Sequence, residues 1–114
     1  MIIVEKNEGT KIPYEINGNK ITFNDELSLN LEKHERDDAA HIDICRDKFG
    51  NLVTGVIPGV AEAYVAEIDI PAREYDYIAD GTDENGNPVE VPMPEPFDID
   101  KCTLTLWALT EMEE

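Results

Sequence analysis

Apolar and polar residues alternate with a period of two along most of this chain, in short runs rich in isoleucine, valine, leucine and tyrosine. That is the pattern of half-buried β-strands. Ile12, Tyr14 and Ile16 share one face, and Ile21 and Phe23 resume the alternation after Asn17-Gly18. Asn-Gly accepts the positive φ angles of a tight hairpin turn, so a hairpin is predicted here. From Ile21 the odd positions stay apolar through Phe23, Leu27, Leu29 and Leu31, while Thr22, Asn24, Glu26, Ser28 and Asn30 face the other way. One side of this segment is core and the other is wet. After the polar stretch 33–38, Ile42 and Ile44 point inward, a turn follows at Asp47-Lys48-Phe49-Gly50-Asn51, and a further strand leaves through Leu52 to Ile57.

The stretch from Ala63 to Ala79 is too long for one ordinary strand. Tyr64, Ala66, Ile68, Ile70 and Ala72 are apolar at even positions, but beyond Arg73 the apolar set becomes Tyr75 and Tyr77. A change of parity needs a bulge or bend, and Pro71-Ala72-Arg73 is the predicted place. The polar loop from Asp80 to Asn87 then leads into Pro88, Pro92, Pro94 and Pro96, all at even positions. Successive N–H groups of an extended strand point to opposite neighbours, so these prolines remove donors from one edge only. Val91, Met93 and Glu95 keep theirs for the other edge, which reads as an edge strand closed to further chains. A last strand runs from Lys101 to about Thr110, with Cys102, Leu104, Leu106 and Ala108 alternating against Thr103 and Thr105, and with Trp107 and Leu109 making its end apolar on both faces.

About eight short strands with little helix predict an all-β domain spanning residues 1–114, an antiparallel β-sandwich or jelly-roll-like barrel. Its expected core is Ile12, Tyr14, Ile16, Phe23, Leu27, Leu29, Leu31, Ile42, Ile44, Ile68, Ile70, Leu104 and Leu106.

Charge changes this picture in one respect. The chain carries a formal net charge of −17, and residues 58–114 hold 15 acidic side chains against Arg73 and Lys101 alone. Such a field repels nucleic-acid phosphates and anionic membranes and favours a basic protein surface or cations. The first residues, Met1-Ile2-Ile3-Val4, turn polar at once, so neither a secretion signal nor a membrane span is expected, and a cytoplasmic setting fits. There Cys45 and Cys102 read as two separate buried thiols.

The candidate chemistry is thin. His34, Asp38 and His41 would share one face of a helix as metal ligands, but almost no apolar face supports that helix. His41, Asp43 and Cys45 share a strand face, yet about 13 Å separates positions four apart on a strand, too far for a nucleophile and its base. Asp80, Asp83, Glu84 and Asn85 offer oxygen ligands for a hard cation, but an EF-hand alignment on Gly86 puts Gly81 and Pro92 where acids are required. A solvated turn explains the same residues. Around Val56-Ile57-Pro58-Gly59 no phosphate-binding loop is spelled out. Neither an enzyme nor a cofactor is expected. Tyr75, Tyr77 and Trp107 are the candidates for a partner surface.

Ile70-Pro71-Ala72-Arg73-Glu74-Tyr75, Pro92-Met93-Pro94-Glu95-Pro96-Phe97-Asp98 and Cys102-Thr103-Leu104-Thr105-Leu106-Trp107 together resemble small acidic all-β accessory proteins of bacteriophage and prophage structural modules. The resemblance covers the second half of the chain and implies a non-enzymatic role in a virion or its assembly. The expected function is therefore a protein-binding or structural module, acting on a protein partner or by self-association. Two alternatives stand beside it. One is an acidic inhibitor of a nucleic-acid-binding protein by phosphate mimicry, using pairs such as Glu67 with Asp69 and Glu74 with Asp76. The other is a cation-dependent or carbohydrate-binding module.

Overall fold

The computed structural model describes residues 1–55 and 61–109, with backbone alone at positions 61 and 62. Val56-Ile57-Pro58-Gly59 and Thr110 therefore lie outside the described residues. Ten strands run in chain order as β1 (Ile2–Glu5), β2 (Tyr14–Asn17), β3 (Lys20–Phe23), β4 (Leu27–Asn30), β5 (Ala40–Asp47), β6 (Leu52–Thr54), β7 (Ala61–Ile70), β8 (Tyr75–Thr82), β9 (Pro88–Pro94) and β10 (Thr103–Leu106). Two short 3-10 turns, Leu31–His34 and Ile99–Lys101, are the only helical pieces among the described residues. The fold is all-β, as the period-two alternation requires.

The strands form three sheets, none closed into a barrel. A five-stranded sheet has the order β1-β10-β7-β5-β6, a three-stranded meander the order β2-β3-β4, and β8 and β9 stand as a pair. Among the described residues all pairings are antiparallel except β1 with β10. The parallel β1 is an element the alternation did not announce, because Ile2, Ile3 and Val4 are a continuous apolar run.

Local chemistry sets the turns. Gly18 takes φ +63° between β2 and β3, the geometry that Asn-Gly predicts. Between β5 and β6 the Asp47 carboxylate accepts the Phe49 and Asn51 N–H groups at 2.8 and 2.9 Å, and Gly50 supplies φ +85°.

One core joins the five-stranded sheet to the meander: Ile12, Ile21, Phe23 and Leu31 pack in a single cluster with Ile44, Val65, Ile68, Ile70, Cys102, Leu104 and Leu106. Tyr14, Leu27, Leu29 and Ile42 lie partly buried against it. Ile16, expected inside, is exposed, because β2 is the outer strand of the meander, with a neighbour among the described strands on one edge only. The thiols are separate and both buried.

The even set from Tyr64 to Ala72 does not share one face, because a shift inside β7 precedes the predicted corner. Ile44 pairs with Ala66 but Cys45 with Tyr64, so Val65 is an extra residue, a bulge inside β7 that turns Tyr64 to the same face as Glu67. At the predicted corner, Pro71 to Glu74 leave the sheet. That corner sends β8 and β9 away from the body. The radius of gyration is 19.0 Å, against about 13 Å for a compact chain of this length, and the molecule measures 68 × 26 × 23 Å.

Candidate functional site

The β8–β9 pair is a projecting arm about 26 Å long, at the usual rise for eight residues. Its ladder sets Tyr75 opposite Pro94, Asp76 opposite Met93, Tyr77 opposite Pro92 and Ile78 opposite Val91. One face therefore carries Tyr75, Tyr77, Pro92 and Pro94, and the other carries Asp76, Ile78, Val91 and Met93. Both faces meet solvent. Tyr77 is 65% exposed, Ile78 49% and Met93 47%. A two-stranded ribbon with apolar groups on two wet faces is marginal alone in water, so the part of the arm beyond its root, which no other strand of the described residues pairs with, has the composition of a contact region.

The edges differ. Glu95 N–H donates to Glu74 C=O at 2.8 Å, which makes Glu74 with Glu95, and by alternation Asp76 with Met93 and Ile78 with Val91, the hydrogen-bonded pairs. Pro92 and Pro94 then point their nitrogens away from β8, closing the outer edge of β9 as the sequence predicted. On β8 the outward groups belong to Tyr75, Tyr77 and Ala79.

Tyr75 and Tyr77 do different things. The Tyr75 hydroxyl donates to Asp37, and Arg73 bonds Glu35 C=O at 3.0 Å and Asp37 Oδ1 at 3.3 Å, while its own N–H reaches Arg36 C=O at 2.8 Å. These contacts fix the root of the arm to the 35–37 loop. Tyr77 lies farther out and free of that clamp.

The root is acidic beyond its local compensation. Lys101 Nζ lies 2.9 Å from Glu74 and 3.9 Å from Glu95. The Lys101 ammonium holds the Glu74 carboxyl below the usual range, whereas Glu95, sharing hydrogen bonds with Glu74 and Asp76, is pushed above it. From Glu74 to Glu95 inclusive the chain has seven carboxylates and no lysine or arginine.

Trp107 does not join the tyrosines of the arm. It lies on the outer face of the five-stranded sheet, stacked on Tyr64 with ring centroids 5.5 Å apart. Its Nε1–H donates to Glu67 at 2.7 Å and Lys6 Nζ sits 5.6 Å from the ring centre. Of the loop oxygens, Asp83 is engaged as a turn acceptor for the Asn85 and Asn87 N–H groups, both at 2.9 Å, and the Asn87 N–H lowers its pKa. Asp80, Glu84 and Asn85 are exposed around it.

The helix that would align His34, Asp38 and His41 does not form. His34 ends a 3-10 turn and His41 is in β5. His41 instead meets carboxylates across the ladder, with Nδ1 2.6 Å from Asp69 and Nε2 2.7 Å from Asp43 and 3.4 Å from Glu67. Two carboxylates on opposite nitrogens call for N–H at both, and the Asp69 contact, first of these causes, raises the imidazole pKa. His41 Nε2 and oxygens of Asp43 and Glu67 lie within 4.8 Å of one another, a spacing at which a cation could replace the proton. Glu67 and Asp69, offered by the sequence as a pair for phosphate mimicry, are thus engaged by Trp107 and His41. Cys45 is buried outside the main core cluster, and burial, then Asp43 and Glu67, push its thiol pKa up, the reverse of an activated nucleophile. Among the described residues no helix is long and apolar enough to cross a membrane.

The His41 cluster was hidden from the sequence because it depends on which residues of β7 face β5, here Asp69 opposite His41 and Glu67 opposite Asp43. Comparison with family models, with curated proteins and with solved structures finds no match.

Proposed function

We propose that this protein is a non-catalytic binding module whose β8–β9 arm docks on a basic protein surface, as an accessory or assembly part of a phage-like particle. The observation that carries the reading is the arm itself, with Tyr77, Ile78 and Met93 exposed on two faces in a stretch of seven carboxylates without one cation. Apolar groups need cover and the unbalanced carboxylates need cations, and a partner that supplies both is a protein with lysine or arginine around an apolar patch. Another copy of this chain brings the same negative arm, which disfavours arm-to-arm self-association. The resemblance to small acidic phage accessory proteins supports a virion or its assembly as the setting.

The test is a benzophenone amino acid at position 77, irradiated in a lysate of the source organism, beside a variant in which Asn-Gly replaces residues 77–92. One cross-linked protein, basic in charge and not retained by the shortened variant, is the expected result. Turnover of a small substrate that Cys45→Ala or His34→Ala abolishes would overturn the reading.

A further inference from the structure

We propose that the arm takes up an extended segment of its partner as a third strand on the outer edge of β8, and that this segment reads basic-x-apolar-x-basic. The inference rests on the arm being the docking element and adds the mode of docking and the chemistry of the segment bound.

The arm has one open edge. Pro92 and Pro94 close β9, since neither can donate from its outward position. The edge of β8 carries no such block. With Asp76 and Ile78 bonded inward, the N–H and C=O groups of Tyr77 and Ala79 point outward, and among the described residues no strand lies beside them. The 35–37 loop covers this edge only as far as the root, through the Arg73 N–H bond to Arg36. An uncovered row of donors and acceptors is a template for strand addition, in which main-chain bonds give affinity and alternate side chains give specificity.

The side chains flanking that edge define the segment. Asp76 and Ile78 stand in one row of the regular ladder, and Asp80 follows them where the register shifts between Ala79 and Thr82, so an added strand along this edge meets an acid, an apolar group and an acid in turn and answers them with cation, apolar, cation. Asp76 already shares Glu95 with Glu74, and Lys101 is the cation the structure gives this group, so a lysine or arginine beside Asp76 answers a standing repulsion. On the other face the segment meets Tyr77, which suits β-branched or long aliphatic side chains. A closed β9 edge confines growth to one added strand, which separates specific capture from open-ended sheet assembly.

The probe is the acetylated, amidated peptide Gly-Lys-Thr-Ile-Thr-Lys-Gly, with glutamate in place of both lysines as its control, added at millimolar concentration to the full chain. Amide exchange followed by NMR should slow about tenfold at Tyr77 and Ala79 with the lysine peptide and not with its control. Ala79→Pro, which removes an outward N–H and leaves the inward bonds of Ile78, should abolish the protection. The double variant Asp76→Asn with Asp80→Asn should weaken binding at least about threefold, and it serves if the proline variant misfolds. Protection that survives both variants, or binding that shifts Ile78, Val91 and Met93 side chains without protecting Tyr77 and Ala79, overturns strand addition and leaves docking by the faces. No binding of the lysine peptide also overturns it, while position-77 cross-linking reports separately on whether the arm docks at all.

Discussion

β7 and β8 follow one another in the chain and carry the same alternation, yet they end in opposite environments. In β7, Ala66, Ile68 and Ile70 are all within 1% of complete burial, because the meander covers that face and β5 and β10 flank both edges. In β8, Tyr77 and Ile78 remain about half exposed or more, with β9 on one edge and, among the described residues, no second strand on the other. Period-two alternation states that a face is fit to be covered. It does not state that the cover comes from the same chain. The contrast is the physical basis for treating the body as the stability element and the arm as the contact element.

The largest expected effect tests that division directly. Phe23→Ala should cost about 3–5 kcal/mol and Leu104→Ala about 2–5 kcal/mol, since each empties a fully buried site. Tyr77→Ala should stay within about 0.5 kcal/mol, because its ring has few neighbours to lose. Urea unfolding followed by Trp107 fluorescence reads all three. A Tyr77→Ala cost matching that of Phe23→Ala would mean that the arm is packed on the body in solution, and the comparison would collapse.

A smaller effect sharpens the comparison at the arm's tip. Asp83→Ala removes the acceptor for two backbone N–H groups, which in an exposed turn should cost about 1 kcal/mol in total. Amide exchange through β8 and β9 should quicken about fivefold, with β5 and β7 unchanged, because the arm opens without the body. Millimolar calcium should leave the native arm's exchange rates alone if the Asp83 carboxylate serves the turn. Slowing by calcium that Asp83→Ala removes would return weight to a cation-binding loop.

Much of this architecture was legible in the chain. Asn17-Gly18 marked a hairpin, the even prolines marked a closed edge, and Pro71 marked a corner, because each is a local property of backbone chemistry. Long-range facts were not legible. The parallel pairing of β1 with β10 joins residues about a hundred positions apart, and the His41 cluster needs β5 and β7 in one register. Trp107 shows the same limit. Its apolar surroundings in sequence suggested a partner surface, but the bulge at Val65 supplies Tyr64 and Glu67 as partners within the chain. Of the three aromatic candidates, only Tyr77 stands free on the arm.

The smallest expected effect separates the two regions by pH. In the body, His41 has its pKa raised above 6.5 by Asp69, then Asp43, with Glu67 also at hand. A proton held more tightly in the folded state stabilises fully below 6.5, and that contribution is lost as pH rises through the folded pKa. The melting temperature should therefore fall as pH climbs from 6 to 8, by a small amount because the imidazole is 45% exposed and screened by solvent. In the arm, Glu95 is raised above 4.5, so its contribution is present below that value and disappears at higher pH, while Glu74, lowered by Lys101, contributes above 4.5 and loses its share as pH falls. These two oppose each other in acid. His41→Asn should then flatten the slope between pH 6 and 8 without touching the response of arm amides below pH 5. A slope that survives His41→Asn would assign the neutral-pH response to crowded carboxylates of the whole chain, and 0.5 M salt should then remove it by screening.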